Sequence, residues 1–128
     1  MERILEQAHS ASVRVFVVRE PMLPTDWDRP TRPTLKRVSD SRAVQFWDKN
    51  HLVAAQVKQQ LKQFHGNDPS CCEDAGHLRD IAAVYAPRNG WGEAGPVFDD
   101  GPVYRIVTQL NERLKEMLNR ASAASSAQ

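Results

Sequence analysis

The spacing of apolar residues predicts three strands in the first two thirds of the chain. "VRVFVV" (13–18) begins as an alternation and becomes continuously apolar and β-branched, which is typical of a strand buried on both faces of a parallel sheet. "AVQFW" (43–47) alternates and places Val44 and Phe46 on one face of a short strand. "LRDIAAVYA" (78–86) is the third strand candidate.

Between these strands the pattern changes to helical spacing. Residues 2–9 place Ile4 and Leu5 on one side of a short helix. The segment 21–33 contains half of the eight prolines, so no regular element is expected there. "TLKRVS", which follows it, has room for one or two helical turns.

A longer amphipathic helix is predicted over "HLVAAQVKQQLKQF" (51–64), with Asp48 or Asn50 as its N-terminal cap. Its stripe contains one polar residue, Gln56. The positions that share the helical spacing are Leu52, Val53, Gln56, Val57, Leu61 and Phe64. Strands that alternate with helices indicate an α/β protein.

The last third of the chain predicts a short extended piece and a final helix. "PVFDDGP" (96–102) has the turn chemistry that closes an extended segment, and Pro102 suits the first position of a helix. That helix is expected from 102 to about 119. We therefore predict a single domain over 1–120 and a frayed small-residue tail over 121–128.

The composition excludes some classes of function but does not identify one. The 128 residues are 41% apolar and 26% charged, with a net charge of +1, so no global field recruits nucleic acid or an anionic membrane. No apolar run approaches the roughly 20 residues that span a bilayer. The acidic start "MERILEQAHSA" is not a signal peptide, which predicts a cytoplasmic location.

A combination of motifs resembles a known group of proteins. The stretch "VRVFVVREPMLPTDWDRPTRPTLKRVSDSRAVQFWDKNHLV", followed by "CCEDAG", "LRDIAAVYAP" and "VFDDGPV", is similar to uncharacterised bacterial thioredoxin-like proteins. The shared features are a strand that ends in a Pro-rich loop with Thr-Asp-Trp, a Phe-Trp-Asp element, and a late Gly-Pro-Val before the last helix. The likeness covers nearly the whole chain.

The resemblance implies an incomplete thioredoxin-like sandwich of three to four strands with flanking helices. Thioredoxin-like proteins carry a Cys-x-x-Cys at the start of their first helix, and nothing in this chain matches it. Met1 falls inside the counterpart of that helix, so the opening strand is expected to be missing as well. Without the Cys-x-x-Cys we expect little disulfide reductase turnover. The missing strand lies between the counterparts of 13–18 and 78–86, so we also expect an incomplete sheet.

The segment "HGNDPSCCEDAGH" carries the main candidate site. His65, Cys71, Cys72 and His77 offer two thiolates and two imidazoles, a ligand set for zinc, copper(I) or a thiophilic metalloid. Adjacent cysteines are not the usual Cys-x2-Cys spacing, because neighbouring side chains tend to point apart. The alternative is one cysteine in the core, one exposed to solvent, and two histidines that are ordinary loop residues.

Sequence reasoning also disfavours sulfur redox chemistry in this loop. A bond between Cys71 and Cys72 closes only a small strained ring that constrains no loop entropy, and cytoplasmic thiols normally stay reduced. Glu73 and Asp74 follow directly, and their charges oppose thiolate formation. A thiol–disulfide site at Cys71 and Cys72 stays an alternative to the metal site.

Two further groups of residues have structural interpretations. Asp26 and Asp28 around Trp27 have the form of acid–base carboxylates, but an aspartate turn in a Pro-rich loop is the expected role. Asp48 is interpreted as a helix cap, and Trp47 as a core or rim aromatic. No nucleophile triad, dinucleotide fingerprint or phosphate loop is present in the sequence.

Three function hypotheses follow. The first is a non-catalytic protein whose Cys-Cys/His loop binds a soft metal or metalloid. The second is a thiol–disulfide oxidoreductase that uses Cys71 and Cys72, and the third is a self-assembling interaction module without chemistry. Because "VRVFVV" is expected to lack a neighbouring strand, we predict a homo-oligomer, most simply a dimer, unless 13–18 pairs directly with 78–86.

Overall fold

The protein is a mixed α/β chain of short strands and four helices, as the sequence predicts at this coarse level. The structure, a computed structural model, describes residues 2–8, 12–25, 28–65, 70–89 and 92–128, with only the backbone at 2, 7, 65 and 70. The helices are α1 (Glu2–Gln7), α2 (Arg32–Leu35), α3 (Leu52–His65) and α4 (Val107–Ser126). The strands are β1 (Val15–Arg19), β2 (Ala43–Trp47), β3 (Glu73–Asp74), β4 (His77–Leu78), β5 (Ala82–Val84) and β6 (Phe98–Asp100).

The strands form three separate two-stranded sheets in the described part of the chain. β1 and β2 are parallel, whereas β3–β4 and β5–β6 are antiparallel pairs. The prediction of three to four strands was therefore wrong in number. The expected strand 78–86 is divided because Asp80, with a φ of 50°, turns the backbone between β4 and β5. Residues 13–18 do not pair with 78–86, since the described partner of β1 is β2 alone.

One face of the β1–β2 pair is apolar and open to solvent. In the register, Phe16 lies beside Val44 and Val18 beside Phe46, so the four side chains share a face. Phe16 is 64% exposed, and Val44 and Phe46 are each 48% exposed. The rings of Phe16 and Phe46 are 6.1 Å apart between centroids. The prediction that β1 is buried on both faces was wrong, while the shared face of Val44 and Phe46 is confirmed.

The opposite face of the pair lies against the segment around α2. Gln45 Nε2 donates to the carbonyl oxygens of Leu35 and Val38, at 2.8 and 3.1 Å. Arg19 Nε in turn donates to Gln45 Oε1 at 3.1 Å. These bonds attach the turns after the Pro-rich segment to the sheet, on the face where Val15, Val17 and Trp47 are half-buried.

Asp48 joins β1, β2 and α3, and its predicted role as a helix cap is confirmed. Its carboxylate accepts hydrogen bonds from three successive backbone N–H groups, those of Leu52, Val53 and Ala54. The three distances run from 2.7 to 3.3 Å. The Asp48 N–H donates to the carbonyl of Arg19 at 2.8 Å. The first free amides of α3 are thus satisfied by one buried residue that also closes the β1–β2 ladder.

The apolar face of α3 is rotated from the predicted stripe, of which Val57 and Leu61 are confirmed. Its buried contacts form a cluster of Ala54, Leu61 and Leu78, with Val57 and Ile81 packed against it. Leu52, by contrast, is 70% exposed and Gln56 is exposed. The buried polar residue is Gln60, whose Oε1 accepts the Tyr85 hydroxyl at 2.7 Å. Burial, and then the Asp99 carboxylate, raise the pKa of Tyr85, which keeps the proton that this bond uses.

The last helix begins later and ends later than predicted. Pro102, which follows a cis peptide bond, is not its first residue, since a turn comes next and α4 begins at Val107. The small-residue tail continues the helix to Ser126 with its residues exposed. Within the described ranges, no helix is long and apolar enough to cross a membrane.

Helix α1 is held in place by apolar packing and by one arginine. Ile4 and Leu5 are almost fully buried, as predicted, and α1 packs against α4. The Arg42 guanidinium donates to the carbonyl oxygens of Leu5, at 2.6 Å, and of Ala8. These are carbonyls of the last turn of α1, which a cation stabilises. Asp40 orients the guanidinium with contacts of 2.9 and 2.6 Å.

The Asp40–Arg42 pair makes the stability of the fold pH-dependent. The hydrogen bond from the Arg42 side chain lowers the pKa of Asp40 from 3.8 to about 2. Because the folded pKa lies below the unfolded one, the stabilisation is complete above the unfolded value and is lost as the pH falls towards 2. We expect the urea midpoint of the native sequence to exceed that of Asp40→Asn near neutral pH and to converge with it below pH 4.

The exposed Asp28 supplies a matched control, since Asp28→Asn removes the same charge without this contact. Its urea midpoint is expected to follow the native sequence from neutral pH to pH 2. A difference between Asp40→Asn and the native sequence that stays constant over this range would contradict the role given to Asp40.

Candidate functional site

The two cysteines lie on a tight turn that leads into a short hairpin. Residues Ser70–Cys72 form a turn of 3-10 helix, and β3 and β4 follow directly. The hairpin turn is Ala75–Gly76, with φ values of 49° and 82°, which matches the two-residue turn that suits the twist of paired strands. The N–H of Arg79 donates to the carbonyl of Cys72 at 2.7 Å and fixes the hairpin against the cysteine turn.

Cys71 and Cys72 are bonded to each other as a disulfide. The expectation that such a bond is disfavoured was wrong. That expectation rests on the strained small ring that such a bond closes and on the reduced state of cytoplasmic thiols, and it leaves out the local backbone turn. In a 3-10 turn, with three residues per turn, consecutive side chains are only about 120° apart, and the sulfurs can meet. While the bond is closed, neither sulfur is a thiolate ligand.

The two cysteine residues differ in their exposure. Cys71 is exposed, whereas Cys72 is 1% exposed. Cys72 packs against Gly101, where an added Cβ would lie 2.5 Å from the sulfur and 2.6 Å from the Asp80 carbonyl oxygen. The Sγ of Cys71 lies 3.2 Å from the carbonyl oxygen of Gly101. The glycine before cis-Pro102 therefore gives the sulfur pair the room in which it sits.

The acidic residues after the cysteines are each neutralised. Lys58 Nζ lies 2.8 Å from Glu73 Oε1, and Arg79 Nη1 lies 3.0 Å from Asp74 Oδ2. Sequence reasoning treated both carboxylates as opponents of a thiolate. Lys58 comes from α3 and Arg79 from the end of the hairpin. Their positive charges offset those of the two carboxylates, so the carboxylates no longer argue against a thiolate at the cysteines.

Of the two histidines predicted as ligands, the structure describes the side chain of His77 alone, and it pairs with another histidine. The ring of His77 stacks on that of His51 at 4.0 Å between centroids, and His51 Nδ1 is hydrogen-bonded to Glu20 Oε2. The side chain of His65 lies outside the described residues, although its backbone ends α3. Among the side chains that are described, no group of three or more His, Cys, Asp or Glu residues could hold a metal ion. The four-ligand site stays a prediction.

The disulfide forms part of the wall of an open cleft of about 590 Å³. Its lining also includes Arg19 and Glu20 at the end of β1, together with Arg79 and Tyr104. Open α/β sheets bind ligands beyond the carboxyl ends of their parallel strands, where this cleft lies. The cleft that contains the two cysteines is therefore the candidate binding site.

Several residues of the site had weak or no signals in the sequence. Glu20 directly follows the apolar strand, and that position could have marked it as a cleft residue. Gly101 carried only a turn signal, and nothing placed it beside Cys72. Asp26 and Trp27 lie outside the described residues, while Asp28 is exposed.

Comparisons with protein families, with curated proteins and with solved structures find no match to this chain. The site must therefore be interpreted from its own geometry. That geometry is a pair of bonded sulfurs, one exposed and one buried, on the wall of a cleft.

A substitution at Gly101 tests the packing of the sulfur pair. Gly101→Ala is expected to destabilise the protein by about 1–3 kcal/mol, because the new methyl group meets both Cys72 Sγ and a backbone oxygen that cannot easily move. Urea unfolding of the four chains in a double-mutant cycle with Cys72→Ala measures the coupling. The cost should be smaller in the Cys72→Ala background, where one of the two clashes is gone. Equal costs in both backgrounds would show that the sulfur does not occupy this space.

Proposed function

We propose that this chain is a thiol–disulfide protein whose Cys71–Cys72 pair exchanges between a disulfide and a dithiol in the open cleft. The observation that carries the proposal is the bonded pair itself, in which Cys71 is exposed, Cys72 is buried, and both residues line the cleft. An exposed sulfur meets an external partner, and a buried neighbour resolves the adduct without competing for that partner.

The exchange balances as two substitutions at sulfur. In the reduced pair, the Cys71 thiolate attacks an external disulfide and releases one thiolate, which leaves a mixed disulfide at Cys71. The Cys72 thiolate then attacks Cys71 Sγ and releases the second thiol, so two electrons pass from the pair to the external disulfide. A low-molecular-weight thiol such as glutathione reverses both steps.

The surroundings support reactivity at these sulfurs. Lys58 and Arg79 offset the carboxylates beside the pair, and the Gly101 carbonyl oxygen lies within reach of a Cys71 thiol proton. The pair does not have the Cys-x-x-Cys spacing of thioredoxin-like proteins, so we propose stoichiometric exchange rather than fast reductase turnover.

The thioredoxin-like fold and the cytoplasmic location belong to the same proposal. One parallel strand pair, two antiparallel pairs and a last helix follow one another along the chain, and the parallel pair with its connecting helix and the last helix support this part of the proposal. A reducing cytoplasm would maintain the dithiol, and oxidation would close the pair.

Redox titration tests the proposed exchange. The native chain is equilibrated against graded ratios of reduced and oxidised glutathione, trapped with an alkylating agent and weighed by intact mass. As the glutathione ratio becomes more oxidising, we expect one transition from chains with two alkylated sulfurs to chains with none. Its slope should be that of a two-electron reaction. Cys72→Ser should instead accumulate a glutathione adduct at Cys71.

Cys71→Ser is the matched control, because it leaves only the buried sulfur. Its labelling is expected to be slower than that of Cys72→Ser by on the order of tenfold, since the reaction needs access as well as thiolate. A pair that stays in one state at every glutathione ratio, or equal labelling of the two variants, would contradict the proposal.

A soft metalloid is the second candidate ligand of the same pair, in its reduced form. Two thiolates on adjacent residues can chelate one trivalent arsenic atom, with loss of one water from an arsenoxide. Zinc or copper(I) would recruit further ligands, and His65 and His77 are the predicted ones. The bonded sulfurs favour the metalloid, because they already lie close enough to share one atom.

Phenylarsine oxide is the probe for this second candidate. After reduction and removal of the reductant, we expect one phenylarsenic group per chain by intact mass. Cys71→Ser/Cys72→Ser should bind none, and His77→Ala should bind as the native chain does, because His77 stacks on His51 instead. Equal uptake by the native and double-serine chains would mean that binding is adventitious.

A further inference from the structure

Strand β1 has an unpaired backbone edge in the described structure. Its ladder to β2 uses the odd-numbered residues, since the Val15 N–H donates to Arg42 and the Arg19 carbonyl accepts from Asp48. In a parallel pair, the backbone groups of the alternate residues point to the other side. The N–H and C=O groups of Phe16 and Val18 therefore face away from β2.

The same two residues carry the apolar face of the sheet. Phe16, Val44 and Phe46 are each about half exposed or more. A strand whose edge and face are both open is a template for another strand. What pairs with it must bring an extended backbone and a matching apolar surface.

We infer that β1 pairs with β1 of a second copy of this chain, antiparallel and with the two-fold axis at Val17. In that register Phe16 lies opposite Val18 of the second copy, and Val18 opposite its Phe16. Each of these two pairs exchanges two backbone hydrogen bonds, which gives four new bonds. Together they use the outward N–H and C=O groups of Phe16 and Val18 in both copies. The two apolar faces then join into one surface across a four-stranded sheet.

Charge fixes the register. With the axis at Val17, the exposed Arg14 lies opposite Glu20 of the second copy, and this occurs twice in the interface. An axis at Val18 would place Glu20 opposite Phe16, and an axis at Phe16 would place Arg14 opposite Val18. On the face that carries Phe16 and Val18, the register at Val17 pairs Arg14 with Glu20 and the two apolar residues with each other. On the other face, Arg19 lies opposite Val15 of the second copy.

The dimer also changes the candidate site. Glu20 forms part of the cleft wall and is hydrogen-bonded to His51 through one carboxylate oxygen. Pairing brings Arg14 of the second copy to Glu20, so each cleft gains a cation from the other chain. The assembly does not depend on the Cys71–Cys72 pair, so it can be tested with both of these cysteines replaced by serine.

Engineered disulfides test the register. Val17→Cys and Val15→Cys are compared in a Cys71→Ser/Cys72→Ser background, and both sites are half-buried on the same face of β1. The axis places two Cys side chains at position 17 in a directly opposed, non-hydrogen-bonded pair, whereas those at position 15 lie about 14 Å apart. We expect covalent dimers of Val17→Cys alone. Equal cross-linking of both variants, or of neither, would overturn the register.

Charge reversal supplies a second test that needs no new cysteine. Arg14→Glu and Glu20→Arg each place like charges opposite one another twice, and each should weaken dimerisation by about tenfold or more in sedimentation equilibrium. An equimolar mixture restores both attractive pairs and should form a heterodimer with native affinity. Arg37→Glu, an exposed charge change on another segment, should leave dimerisation unchanged.

The outcomes separate the possible occupants of the edge. A folded native chain that stays monomeric at every concentration overturns the inference. A dimer that ignores both charge reversals also overturns it, because the two copies would then meet elsewhere. Circular dichroism of each variant establishes that it is folded, and if Glu20→Arg is not, the cross-linking pair decides alone.

Discussion

Two parallel strands cannot bury themselves, and this constraint organises the molecule. The β1–β2 pair has one face attached to α2 through Arg19 and Gln45 and one face that stays open. The remaining elements are attached at the ends of these strands. Arg42, next to the start of β2, holds α1, and Asp48, just after its end, starts α3. The cleft with the sulfur pair lies beyond the end of β1.

The sequence predicts those parts of the fold that depend on neighbours along the chain. The strand 43–47 and the burial of Ile4 and Leu5 follow from spacing alone. Asp48 could be assigned as a cap because the amides it binds come only four to six residues later. Where partners are distant, the same reasoning fails. The face of α3 that packs on Leu78 differs from the predicted stripe, since the position of β4 was unknown.

The candidate site shows the same division. Its central residues, Cys71 and Cys72, could be recognised as chemistry from the sequence, but their bond to each other could not. That bond depends on a tight turn and on the space over Gly101, which lies 29 residues after Cys72. The neutralised carboxylates depend on Lys58, a helix residue with no signal of its own. The sequence names the reactive atoms, and the tertiary structure sets their electrostatic environment.

The junction at Asp48 has a consequence for which side chains this position can accept. Three amides converge on its two carboxylate oxygens while its own N–H is bonded to β1. Asparagine would present one oxygen and turn an amide donor towards a backbone donor, and serine would offer a single oxygen. Glutamate would move the carboxylate one methylene away from the helix start. Aspartate is therefore the one acidic or amide residue that can accept from every donor at this buried position. Position 48 should consequently tolerate fewer residue types than the positions of α3 that follow it.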